Sequence, residues 1–349
     1  MKVLLPFLPL NRNIFFDDLL PFTEWEWMFR GLDETVDDYD VVSIHWPEAL
    51  LDWREPTQED LDKLARRIKE WKSRAPIVYT RHDSFVHRNG SSAHRKLFDL
   101  IIENADCIVH LGEYSIADTL ASHPSTEQLR HEVIPHHLYT GYPNNVSGAS
   151  ARKTFHIAQR KKVVLVFGNL RHATEKQFVF SAFSKVVAAG KLLLSPRLLF
   201  PIPDSWRVIR GEKARKRMGK LINFVLSLTG SFRLKNRFVK DQEVQNYLAA
   251  SDVLFVPRAD TLNSGLPLLG LAFDVPVVGP RCGNIEEVIR ESGGYLYDAG
   301  DSGSAAQAIE QALCDGVRKD QAESYKKKVH PSRIAAQYEA LFSRLVAER

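Results

Sequence analysis

Short apolar runs alternate with longer amphipathic stretches along the whole chain, the pattern of parallel strands joined by crossover helices. One series of runs predicts strands over residues 3–7, 41–45, 77–80, 107–111 and 132–134, with helices over 58–73, 93–104 and 114–122. A second series predicts strands over 163–168, 191–194 continuing toward Phe200, 232–234, 253–256, 277–278 and 294–297. Its helices fall over 174–189, 212–228, 241–250, 265–273, 284–291, 302–314 and 331–347. The small, polar stretch between the two series reads as an interdomain linker. The expected organisation is therefore a first doubly wound α/β domain over 1–146, a linker over 147–162, a second over 163–330 and a terminal helix over 331–349.

Length supports two domains, since 349 residues exceed one ordinary hydrophobic core. A hydrophobic content of 44% fills two cores, yet no apolar run reaches the roughly 18 residues of a membrane span. The apolar start could pass for a signal peptide, but Pro6 and Pro9 interrupt it and Asn11-Arg12-Asn13 follow where small residues would mark cleavage; it reads as a first strand. Cys107, Cys282 and Cys314 lie far apart without paired spacing, which argues against a disulfide framework or zinc site and for a reducing cytoplasm.

The net charge of +4 is mild but uneven: eleven Lys or Arg stand against one acid, Glu212, over 207–240. Because 221–228 is strongly apolar, this basic segment suits an anionic membrane surface; the alternative is a surface helix whose apolar side packs on the sheet. No recognition-helix or RNA-binding signature accompanies the charge, so no nucleic-acid partner is expected.

Candidate chemistry concentrates in the second half. The run 253–256 leaves through Pro257 into a polar loop, and Asn263-Ser264-Gly265 opens an apolar helix beginning with Leu266. The first N–H groups of a helix lack intrahelical partners and the macrodipole is positive there, so a diphosphate fits on Ser264, Gly265 and Leu266, with Gly265 giving room for close approach. The turn over 168–176 reads Gly-Asn-Leu-Arg-His-Ala-Thr-Glu-Lys. It offers Arg171 as a planar fork and Lys176 as a point charge for the same phosphates. The alternative is a solvated turn with two surface cations.

In order and spacing these segments resemble the GT-B glycosyltransferases of the broad retaining clan that includes bacterial capsule and exopolysaccharide enzymes. The resemblance implies two Rossmann-like domains facing across a cleft, a terminal helix crossing back to the first domain, and a nucleotide-sugar donor on the second. One departure matters. That clan carries two glutamates eight positions apart, which contact the donor sugar and ribose; here the positions hold Thr261 and Leu269.

The first half is similar to a subgroup that also has a Leu-Asn-Ser-Gly turn. The matching segments are His45-Trp46-Pro47-Glu48, the turn Tyr79-Thr80-Arg81-His82-Asp83 with His87, and His136-His137-Leu138-Tyr139. That subgroup is the xanthan-type β-mannosyltransferase family. The resemblance implies GDP-mannose as donor, a polyprenyl-diphosphate-linked oligosaccharide as acceptor, exopolysaccharide synthesis, and work at the inner face of the plasma membrane.

Inverting transfer needs a base at the acceptor hydroxyl, worth about 10² to 10⁴ in rate. Glu48, His82, Asp83 and Glu113 qualify, each just past the carboxyl end of a first-half strand, with His45 and Trp46 as acceptor contacts. Glu48 ranks first because Trp46 and Pro47 fix its loop, although it could instead pair with Arg54; Asp83 could simply cap a turn. His136 and His137 could bond the donor or pack a hinge, and Glu287 could approach the nucleotide or serve as a helix-start acid. Asp38-Tyr39-Asp40 has metal-site spacing but precedes its strand; since Arg171, Lys176 and the helix start can carry the diphosphate charge, no metal is expected, and no cofactor besides the nucleotide sugar as substrate. Three alternatives stay open: a retaining transferase with Thr261 or Asp260 at the sugar, a sugar-nucleotide 2-epimerase, and a non-catalytic nucleotide-sugar-binding subunit.

Overall fold

The structure, a computed structural model, describes residues 1–8, 13–84, 90–170, 172–202 and 211–349. Arg171, His87 and residues 207–210 of the basic stretch lie outside the described residues. The chain divides into two compact units: Met1–His137 with Thr261–Asn263 and Val329–Arg349, and Leu138–Asp260 with Ser264–Lys328.

The first unit is built on six parallel strands: β1 (Lys2–Leu5), β2 (Glu26–Phe29), β3 (Val41–Ile44), β4 (Ile77–Arg81), β5 (Cys107–His110) and β6 (Arg130–Val133). Their order is β2-β1-β3-β4-β5-β6. The central strands β3, β4 and β5 are buried along their whole length, as a sheet covered on both faces requires. Leu64, Ile68, Trp71, Leu97 and Phe98 of the helices Gln58–Arg74 and Ser92–Ile102 cover one face. The terminal helix Pro331–Ala347 packs on the other through Ile334, Tyr338, Leu341 and Phe342, and Tyr338 hydroxyl lies 3.2 Å from Thr80 Oγ1. At roughly 1.5–3 kcal/mol for each large apolar side chain buried, those contacts fix the helix on this unit.

The second unit repeats the plan with β7 (Lys162–Leu165), β8 (Lys191–Ser195), β9 (Phe232–Leu234), β10 (Val253–Phe255), β11 (Val277–Pro280) and β12 (Tyr295–Tyr297), all parallel, in the order β12-β11-β10-β7-β8-β9.

Among the described residues every strand predicted by the apolar runs is present, although the one from residue 191 ends at Ser195 rather than continuing toward Phe200; besides three short 3-10 turns, four elements are additional. The helix Ile14–Leu19 and strand β2 are too short to show a period. The helix Lys319–Lys328 buries only Ala322 and Tyr325 and so carries almost no apolar stripe. The fourth corrects the linker reading: within it, Ser147 caps a helix Gly148–Thr154. Ala151 of that helix is buried in the second unit's core, and Arg152 reaches Asp252 at 2.9 Å and the carbonyls of Ala250 and Gln159. Composition showed small and polar residues; the packing that makes them structural is tertiary.

Candidate functional site

In open parallel sheets, ligands bind at the carboxyl ends of the strands where the strand order reverses. In the second unit that point lies between β7 and β10. The loop after β7 contains Gly168 at φ +81, a conformation that favours glycine, and a Cβ there would lie 3.7 Å from the Leu266 methyls. The Gly168 turn and the start of the helix at Leu266, far apart in sequence, thus come together.

A buried ion pair ties these loops. Arg258, just past β10, donates to Glu175 Oε1 at 2.9 Å and to the Asn169 carbonyl at 2.9 Å, and both charged side chains are only 9% exposed. Tyr297 hydroxyl donates to the carbonyls of Val256 and Arg258 and braces the same turn. Neither Glu175 nor Arg258 stood out in the sequence, because a charged residue in a polar loop looks solvated until its partner is known. Lys176 is half-buried on the first turn of the helix Ala173–Lys185, and among the described residues no acid pairs with it.

Gly265 occupies the N-cap of the helix Leu266–Ala272 at φ −73, so handedness does not demand glycine. Space does: an added Cβ would stand 2.1 Å from the Tyr139 hydroxyl and 3.1 Å from its Cζ. The room that the sequence reading gave to an approaching ligand is bordered by a tyrosine. Ser264 Oγ accepts from Leu266 N at 3.3 Å, engaging one of the three helix-start amides. Leu269, at the second vacant glutamate position, is buried in the apolar core. Glu287 is half-buried in the helix Gly283–Glu291, whose first-turn acid is Glu286, beside Arg281 and Arg290; Glu287 is thus not the helix-start acid.

Thr261 and Asn263 cluster with the first unit. Asn263 Nδ2 donates to the His82 carbonyl at 2.8 Å and lies 3.4 Å from that of Arg81, at the end of β4. Arg81 is itself buried, its guanidinium held by Asp118 at 2.6 Å, Thr119 Oγ1 at 2.8 Å and the Ser115 carbonyl at 3.1 Å.

The first unit reverses strand order between β1 and β3, and there histidines and aromatics gather. His45, just past β3, bonds Ser43 Oγ through Nε2 at 3.2 Å and His82 Nε2 through Nδ1 at 3.0 Å. His82 stacks on Trp46 with ring centroids 4.3 Å apart. Phe15, on the unforeseen helix Ile14–Leu19, is the hub: its ring lies 5.1 Å from those of His45 and His82, 5.3 Å from His136 and 4.8 Å from His137. His137 also bonds the Phe15 carbonyl at 2.8 Å, and His136 the His137 carbonyl at 2.7 Å. Burial pushes His45 down to about 3, and burial with the neighbouring His137 does the same to His136. At neutral pH both rings are uncharged.

Of the four candidate bases, Glu48 is 6% exposed, in the single turn Pro47–Leu51 that follows Trp46. Arg54, its suggested partner, is engaged with Asp60. Asp83 is half-buried, and together with Glu48 it adds to the burial that raises the Tyr79 phenol. Glu113 is exposed at the start of the helix Tyr114–Ser122. His82 is thus brought against Trp46 and His45, Glu48 is buried two residues beyond Trp46, and Glu113 is at the surface.

Residues 161–315 match the family model described as glycosyl transferases group 1. The N-acetyl-alpha-D-glucosaminyl L-malate synthase of Bacillus anthracis is 28% identical over 203 residues, which span 55% of this chain and 48% of that protein; the chain spans about half the length of that relative. Among solved structures, Anabaena Alr3699/HepE in complex with UDP superposes with TM-score 0.69 at 16% identity, covering 99% of this chain and all of that one. Sucrose-phosphate synthase from Thermosynechococcus elongatus superposes with TM-score 0.64 at 18% identity, covering 89% and 75%. The fold is GT-B, and residues 161–315 of the second unit are similar to the group 1 glycosyl transferases.

Proposed function

We propose that the chain is a retaining group 1 glycosyltransferase that takes a hexose from a uridine diphosphate sugar. One observation carries this reading: the matched stretch 161–315 spans the strands of the second unit and both loops of its switch point, where Lys176, Gly168 and the Ser264-Gly265-Leu266 helix start converge. The relative named for an alpha-glucosaminyl product and the UDP complex of a similar fold favour retention and uridine over inversion and guanosine.

In this reading the second unit supplies charge. Lys176 and helix-start amides stabilise the nucleoside diphosphate as it leaves, an effect strongest where water is excluded. The Glu175–Arg258 pair holds the two loops without spending its own charge on the ligand, since each neutralises the other. On the first unit, half-buried Trp46, stacked on His82, offers a surface against which a sugar ring can pack.

A second reading has one observation in its favour. Thr261 and Leu269 leave the two glutamate positions of retaining relatives vacant, and Leu269 lies in the core. This suits inverting β-mannosyl transfer from GDP-mannose to a polyprenyl-diphosphate-linked oligosaccharide, with buried Glu48 as base. Two measurements decide: nucleotide-dependent thermal shifts and the anomeric configuration of the product. A ligand at a hundred times its Kd adds about 2.7 kcal/mol of stability. Selective stabilisation by UDP and an alpha product are expected. Selective stabilisation by GDP with a beta product would transfer the assignment to the second reading.

A further inference from the structure

The helix Glu212–Leu228 carries large apolar side chains on two sides, one of them exposed. It packs through small and polar residues: a Cβ on Gly219 would lie 3.1 Å from the Phe200 carbonyl, and buried Asn223 accepts from Phe200 N at 3.0 Å and donates to the Leu198 carbonyl at 2.8 Å. Met218, Ile222 and Leu226 are half-buried on that side, and four further large apolar side chains point the other way. Leu221, Phe224, Val225 and Leu228 are 56%, 62%, 54% and 72% exposed. The helix thus has a half-buried apolar side and, in addition, an exposed one.

With Arg217 these side chains follow the spacing of one helical face, a stripe about 16 Å long. Exposed Lys213 and Lys220 flank its start, and among the described residues no acid pairs with Lys213, Arg217 or Lys220; Glu212 pairs with Lys216. Clustered exposed apolar side chains on a water-soluble surface mark an interaction site. Bordered by unpaired cations, this one matches a surface that is apolar beneath and anionic on top.

We propose that this face of the second unit docks the protein on an anionic lipid bilayer, with Leu221, Phe224, Val225 and Leu228 entering the headgroup–acyl boundary and Lys213, Arg217 and Lys220 on the lipid phosphates. A second copy of the chain is the poorer occupant, because two such faces would set cation against cation. The inference does not depend on the sugar or nucleotide assigned above.

The test is co-sedimentation of the full chain with phosphatidylcholine vesicles, either pure or about one-third phosphatidylglycerol. The chain is expected to pellet with the anionic vesicles only, and less at high salt. Leu221→Glu with Phe224→Glu, and separately Lys213→Glu with Arg217→Glu, should each weaken binding about tenfold or more while unfolding temperature and nucleotide-induced shifts stay unchanged, since these side chains are exposed. Failure of the wild type to bind, equal binding to both vesicle types, or full binding by the Leu221/Phe224 variant would overturn the proposal. So would a concentration-dependent dimer in sedimentation velocity that the same variant abolishes, with no vesicle binding.

Discussion

Tyr139 and Gly265 occupy one space: a Cβ on Gly265 would stand 2.1 Å from the tyrosine hydroxyl. The residues are distant in sequence, and the tyrosine explains why a position with φ −73, open to any residue by backbone alone, holds glycine. Gly265→Ala should therefore cost about 1–3 kcal/mol, the usual toll of overpacking. Removing the hydroxyl with Tyr139→Phe leaves ring carbons 3.1–3.2 Å from the new methyl, tight but tolerable. The double variant should recover most of the loss, a coupling that a thermal double-mutant cycle measures; strict additivity would show that the two do not compete for space.

Glu175 and Arg258 are each 9% exposed and lie on different loops of the switch point. Removing one partner leaves a buried charge, so Arg258→Met or Glu175→Gln alone should destabilise by about 3–5 kcal/mol, while Glu175→Leu combined with Arg258→Met should cost less than either. Urea unfolding of the three variants checks this. Equal losses from the single and double changes would mean that packing rather than charge is at stake.

His45 is neutral in the folded protein down to about pH 3, whereas an unfolded histidine takes a proton near 6.5. Between those values the unfolded state binds the extra proton, so stability is fully present above about pH 6.5 and falls as pH drops toward 3, by about 1.4 kcal/mol per pH unit for this one group. His45→Asn should be less stable at pH 7 and should lose that part of the pH slope. Unfolding free energies from pH 7 to 4 decide it, and identical slopes in the two proteins would rule out a buried neutral His45.

Lys176 has no acidic partner among the described residues and is half-buried beside the Gly168 turn. A charged contact to a diphosphate is worth about 1.5–3 kcal/mol, so Lys176→Ala should weaken nucleoside-diphosphate binding about ten- to hundredfold with little change in the melting temperature of the unliganded protein. Calorimetric titration with UDP separates the two quantities. Unchanged affinity would make Lys176 a surface cation.

What the sequence by itself determined was local: two series of short apolar runs, the helices between them, and the Gly168 and Asn263-Ser264-Gly265 turns as places where backbone amides and cations could meet phosphate. Periodicity and turn chemistry are carried by neighbouring residues, so they survive without knowledge of the fold. The tertiary structure alone decided which strands lie side by side. Pairing β7 with β10 brings two distant loops side by side and joins Glu175 to Arg258 across 83 residues, and separately the fold sets Asn263 on the His82 carbonyl 181 residues away. It also made Phe15 the centre of four histidines and turned Leu221, Phe224, Val225 and Leu228 to the surface. No local pattern carries these facts. Whether an amphipathic helix buries its apolar or its polar face, and which residue fills the room beside a glycine, depend on the shape of what it meets.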